Sequence, residues 1–199
     1  MSGQNNRKTG SKIEVGKWAG YPIFTLTLEE RVTCPEGCYH WYTCMGNGMP
    51  FSRRHVHGDD FERVLEEELA RHDKKYSGFV VRLHILGDFY SLHYVALWGY
   101  WIKRFSSLHV FGYTAHDRYS PIGSAVYSLR EREWDRFAIR FSKRVPEDFN
   151  REVVSGDSKL SYLDAVECPA QLSDNKFCGN CGICWRSDKN VVFKTHGRI

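Results

Sequence analysis

FVVRLHILGDF, residues 79–89, is the stretch from which the reading of the fold starts. Its first eight residues are apolar and rich in β-branched types apart from Arg82 and His84, as expected of a strand buried on both faces of a parallel sheet. The run then breaks at Gly87, Asp88 and Phe89. Ahead of it, Asp59 to Lys75 places Phe61, Val64, Leu65 and Leu69 at three- and four-residue spacings, which predicts an amphipathic helix with Asp59 or Asp60 as its N-cap. Behind it, Ser91 is placed to cap a second helix, whose inner face carries Val95, Trp98, Trp101, Ile102 and Phe105.

The same alternation continues in both directions. Residues 21–28 alternate Phe24, Leu26 and Leu28 with Ile23, Thr25 and Thr27, a strand that runs into the first cysteines. Residues 108–115 predict another strand, and Ser120 with Pro121 opens a helix reaching about Trp134. Residues 136–142 form a fourth strand with Phe137, Ile139 and Phe141 on one side and Ala138, Arg140 and Ser142 on the other, and residues 191–194 a last short one. Strands alternating with helices imply an α/β domain with right-handed crossovers. Four or five such units are too few for a closed barrel of ~250 residues. The expected architecture is a partial (β/α) barrel or an open curved parallel sheet, with Cys-rich metal-binding loops. Residues 1–12 read as a flexible basic arm, and residues 13–199 as one domain whose C-terminal metal-binding segment covers 168–185.

With 199 residues, 42% hydrophobic and 15% aromatic, the chain is not disordered and suffices for one core burying ~70% of its unfolded surface. No run approaches the ~20 apolar residues of a membrane-spanning helix, and the start has no apolar signal-peptide middle. The expectation is a cytoplasmic protein without a membrane partner. Lys and Arg number 28 against 24 Asp and Glu, a net +4 that permits nucleic-acid contact without announcing it.

Seven cysteines fall into two distant groups. Without an export signal they read as metal ligands rather than disulfides. The late group is Cys168, then the tight run Cys178, Cys181, Cys184, with glycines after the first two of that run. A CxxCxxC loop with one remote thiolate suits a [4Fe-4S] cluster, while Zn remains the alternative and inert or redox thiols a third reading. The early group is Cys34, Cys38 and Cys44. Three thiolates would leave one iron open to a non-protein ligand, as a catalytic cluster requires. Zinc completed by His40, or buried structural thiols, are the other readings.

On these residues the chain resembles two families. A Cys-rich loop after the first strand, then repeated strand-helix units, is similar to the radical S-adenosylmethionine enzymes. Cys34 and Cys38 match the first spacing of that family's loop, and Cys44 comes three residues later than its pattern. Leu86, Gly87 and Asp88 stand where that family's Gly-Gly-Glu type motif meets the cofactor. The closer resemblance is to the phage and plasmid gene-product-eighty-eight family. It is carried by Cys34 to Cys44, by Gly87 to Ser91 with Tyr94 and Trp98, and by Cys178 to Trp185, within a span from about Leu26 to His196. It implies a mobile-element origin and iron-sulfur binding.

Polar residues near strand ends complete the candidates. Arg82 and His84 share a face with Asp88, and Arg140 with Ser142, so Asp88, Arg82, His84 and Arg140 read as catalytic lining and Gly87, Asp88 and Ser142 as cofactor-binding. An internal Arg82–Asp88 ion pair, or Asp88 as a turn cap, is the structural alternative. Residues 52–60 (SRRHVHGDD) read as a solvated loop that could instead grip a phosphate or metal. Arg130, Arg132, Arg136, Lys143 and Arg144 around Trp134 form either a nucleic-acid face or a salted helix face. The leading expectation is an iron-sulfur protein resembling a radical S-adenosylmethionine enzyme, with one or two clusters. The rival is a non-enzymatic cluster- or zinc-stabilised module that binds nucleic acid or senses redox state.

Overall fold

The computed structural model describes residues 1–3, 8–143, 151–155 and 165–193. Within them the chain runs β1 (Ser2–Gly3), β2 (Ile23–Thr25), α1 (Asp59–Lys75), β3 (Phe79–Leu83), α2 (Leu92–Arg104), β4 (Leu108–Thr114), α3 (Pro121–Glu133), β5 (Phe137–Lys143), β6 (Glu152–Ser155) and β7 (Ala165–Glu167). Three single-turn helices follow, α4 (Pro169–Leu172), α5 (Cys178–Cys181) and α6 (Ile183–Arg186), and then β8 (Asn190–Phe193).

The strands form one sheet in the order β1-β2-β3-β4-β5-β6-β8-β7. Only β1 is antiparallel, and the seven others run parallel. The fold is therefore α/β, with an open sheet whose edges are β1 and β7. Residue alternation sorts each strand onto two faces. Val81, Leu83, Val110, Phe137, Ile139 and Phe141 join Leu65 and Leu69 of α1, Trp98 and Trp101 of α2, and Val126 and Leu129 of α3 in one core. Val80, Phe111 and Ala138 face the other way, against Ile13, Trp18, Cys184 and Trp185. Helices cover one face, and the N-terminal stretch and late cysteine segment cover the other. Burying each such Leu or Phe contributes about 1.5–3 kcal/mol.

The helix starts follow their local chemistry. Ser91 Oγ accepts from the Tyr94 amide at 3.0 Å and Ser120 Oγ from Gly123 at 3.1 Å, with Pro121 at the first helical position. For α1 the cap is Gly58 rather than an aspartate. Asp59, Asp60 and Glu62 lie inside its first turn, where carboxylates meet the positive end of the helix dipole. The aromatic stripe of α2 is core, and Trp101 Nε1 donates to Glu66 at 3.0 Å.

The first residues are not a free arm over their described portions. β1 pairs with β2, the Met1 amine meets Glu68 at 2.5 Å, and the carbonyls of Lys8 and Thr9 accept from the amides of Cys178 (2.8 Å) and Gly179 (3.0 Å). Exposed strand edges and helix-turn amides supplied the partners that composition could not reveal. Lys194 and Arg144, and the side chain of Lys143, lie outside the description.

Candidate metal centre at the strand ends

A cavity of about 370 Å³ opens at the C-terminal ends of the parallel strands. All seven cysteines line it, together with Arg82, His84, Gly87, Asp88 and Ser142. In parallel α/β sheets this end is where ligands bind, because loops there are free to vary over a fixed scaffold.

The early cysteine loop is held from beneath. Thr33, the residue before Cys34, donates its hydroxyl to the Glu29 carbonyl at 2.6 Å and accepts from the Asp88 amide at 3.1 Å. The Asp88 carboxylate then takes bonds from the Phe89 amide (2.8 Å), the Thr114 hydroxyl (2.8 Å) and the Ala115 amide (2.7 Å). Asp88 thus staples the ends of β3 and β4 to the Cys34 loop. Both of its oxygens are engaged within the protein, so its visible role is to position that loop rather than to reach a cofactor. Gly87 makes the approach feasible: its φ is +80°, and a Cβ there would stand 2.6 Å from Thr33 Oγ1. Arg54 grips Glu30 through Nε (2.5 Å) and Nη2 (2.7 Å) and reaches the Ser52 carbonyl, while His57 meets Glu29 at 3.3 Å. Within residues 52–60, Arg54 and His57 therefore brace the early loop, while Arg53, Val56, Asp59 and Asp60 are exposed as a solvated loop should be. His40, the alternative zinc ligand, lines the cavity and touches Thr43 Oγ1 at 3.2 Å.

In the late group Cys168 caps α4, and Cys178, Cys181 and Cys184 are carried by α5 and α6, which meet at Gly182 with φ +68°. Arg140 fixes this turn. Its guanidinium donates to the carbonyls of Cys184 (2.9 Å), Lys189 (2.7 Å), Ile183 (3.1 Å) and Ser187 (2.5 Å). It is fully buried and lies outside the cavity lining, so Arg140 shapes the cysteine turn and does not face the cavity as the strand pattern suggested. Arg82 does line the cavity, yet it forms no ion pair with Asp88. It donates to the Leu83 and His84 carbonyls and lies 4.3 Å above the Tyr113 ring.

Burial acts on both cysteine groups in the same direction. Burial pushes the Cys34 thiol up to about 12 against a bond from the Arg31 backbone, and Asp88, Cys38 and Cys44 add to the rise. Burial likewise raises Cys178 to about 12, reinforced by Cys184 and opposed by Arg82, and raises Cys168 to about 11. Bare, these are neutral thiols. Among the described residues no three Cys, His, Asp or Glu side chains already converge as a ligand set for one ion.

The family model described as Gene product 88 matches residues 1–187, a span that contains both cysteine groups. The chain belongs to this family. Two curated relatives in it are the Gene 88 proteins of Mycobacterium phages D29 and L5, each 28% identical, over 145 and 143 residues. Each match covers 62% of this chain and 58% or 57% of the relative, so the chain spans less than two thirds of those gene 88 proteins. No solved structure matches. The likeness to radical S-adenosylmethionine enzymes rests on the residues alone.

Of the basic residues read as a nucleic-acid or salted helix face, Arg130 and Arg136 are taken up internally, Arg132 is exposed, and Arg144 and the Lys143 side chain lie outside the described residues. Arg136 donates to the carbonyls of Phe105 (3.1 Å), Ser106 (3.0 Å) and Ile102 at the end of α2. Arg130 is buried against Tyr127 and Phe141 and paired with Glu131, and Trp134 lies under Arg151. Sequence reasoning missed Thr33, Tyr113 and Thr114. The strand alternation places Tyr113 on the face of Arg82, but nothing in the sequence pairs it with a residue 71 positions away.

Proposed function

We propose that this protein holds iron-sulfur clusters on its two cysteine groups, Cys34, Cys38 and Cys44 on one side of the cavity and Cys168, Cys178, Cys181 and Cys184 on the other. One observation carries this reading: thiols from distant parts of the chain line one cavity at the ligand-binding end of a parallel sheet. The donor set fits the group, because soft thiolates select clusters or zinc, and the nearby guanidinium of Arg82 suits the negative charge of a thiolate-ligated centre. The four-thiol late set would close a cluster, and the three-thiol early set would leave an iron facing the cavity.

The open parallel wall with helices on one face supports a partial-barrel enzyme of the radical S-adenosylmethionine kind. In that reading the cofactor supplies one-electron chemistry when bound. This chain's part is to hold the early loop through Thr33 and Asp88, to line the cavity with Ser142 and His84, and to limit water. The phage relatives support a mobile-element role.

The test is anaerobic purification followed by absorbance, iron, sulfide and zinc analysis. Brown protein absorbing near ~400 nm with matched iron and sulfide is the expected result. Colourless protein carrying zinc instead would overturn the cluster reading and favour the zinc-stabilised module. S-adenosylmethionine with dithionite should then give deoxyadenosine, and loaded protein that leaves the cofactor intact would remove the enzyme reading alone.

A further inference from the structure

Tyr113, the penultimate residue of β4, has its hydroxyl 3.0 Å from Cys184 Sγ. A cysteine that ligates metal is a thiolate and can only accept, so in the loaded protein the phenol is the donor. The Arg82 guanidinium stands over the same ring at 4.3 Å, and its charge reaches Cys178 as well as Cys184. The Cys184 backbone is clamped in turn by Arg140. The early group has different company: its bonds are from the backbone, at Arg31 to Cys34, at His40 to Cys38 and a longer 3.4 Å one from the Gly46 amide to Cys44 Sγ, and the nearby charge is the negative one of Asp88, which bears on Cys34 and Cys38.

We propose that Tyr113, with Arg82 behind it, tunes the late cluster through Cys184 so that it is the more easily reduced of the two centres. The inference rests on the iron-sulfur reading above. A hydrogen bond to the thiolate and a nearby cation both stabilise the form carrying one more electron. In reduction one electron enters the cluster from an external donor, no bond forms or breaks, and the phenol keeps its proton. Tyr113 is thus a positioning residue, and at equilibrium the late centre is the one that holds the first electron.

The experiment is a dithionite potentiometric titration of the full chain followed by electron paramagnetic resonance, in wild type, Tyr113→Phe and Arg82→Gln. The Phe change removes only the hydroxyl. The higher of the two transitions should move down in both variants. At the wild-type midpoint the reduced-to-oxidised ratio should fall about tenfold in Tyr113→Phe, which for one electron is about 59 mV. Arg82→Gln supplies the reading should Tyr113→Phe fail to fold. Variants with full iron content and no shifted transition would overturn the tuning and leave the clusters standing. Iron-free wild-type protein would overturn both.

Discussion

Gly87 shows how much of the site hangs on a single backbone position. Its left-handed φ of +80° and its close approach to Thr33 let β3 end against the cysteine loop. Gly87→Ala combines a conformational cost with a clash and should destabilise the fold by about 2–4 kcal/mol, read from the urea midpoint. On the iron-sulfur reading proposed above, iron retained by the early group should fall with it, and an unchanged midpoint would remove Gly87 from this role. The turn at residues 87–88 was legible in the sequence because glycine after an apolar run interrupts it. The role of Asp88 was not, because its partners Thr33, Thr114 and Ala115 come from separate segments that only folding brings together. The face shared by Arg82, Arg140 and Ser142 followed from strand alternation. Which of the two arginines reaches the cavity depended on where the late cysteine segment lies, and no local pattern encodes that.

At the level of elements, α1 and α2 were readable from the helical spacing of their apolar residues, α3 from its Ser120–Pro121 start, β3 from its long apolar run and β5 from its alternation. β6 and β7 were missed. They have four and three residues and are held by pairing with β8, a tertiary effect with no period of its own. The late turn α5–α6 is likewise too short to be stable alone, and Arg140 supplies the missing order. Arg140→Met would leave four inward-facing carbonyls without their donor. It should cost about 3–5 kcal/mol in thermal or urea unfolding and lower the metal content of the late group. Arg140→Lys should recover little, since an ammonium cannot span four acceptors in the guanidinium plane. Full recovery by Lys would show that charge alone suffices there.

For the whole molecule, the buried groups that line the cavity set how stability responds to acid. His84 is buried, and burial first, then the charges of Arg82 and His116, push its pKa down to about 3 from 6.5. The unfolded chain takes up this proton below about pH 6.5 while the folded chain refuses it until about 3. Stability from the neutral imidazole is therefore complete above 6.5 and lost as pH falls, by about 1.4 kcal/mol per unit. Between pH 7 and 5 wild type should lose about 2 kcal/mol more than His84→Gln in urea unfolding, and parallel losses would show that His84 does not govern the slope. Parallel α/β class was legible at this scale because alternating strands and helices leave few topologies, whereas the open edges and the docking of residues 8 and 9 on α5 were not.

The position of β8 also orders events during synthesis. β7 pairs only with β8, and β8 bridges it to β6, so this side of the sheet closes only after the last of these segments leaves the ribosome. Until then Cys168, whose amide donates to the Val192 carbonyl, lacks that anchor, whereas Cys184 already has β4 and β5 to pack against. A chain truncated before Asn190 should therefore lose order around Cys168 first, while the Cys184 turn keeps its seat on the sheet.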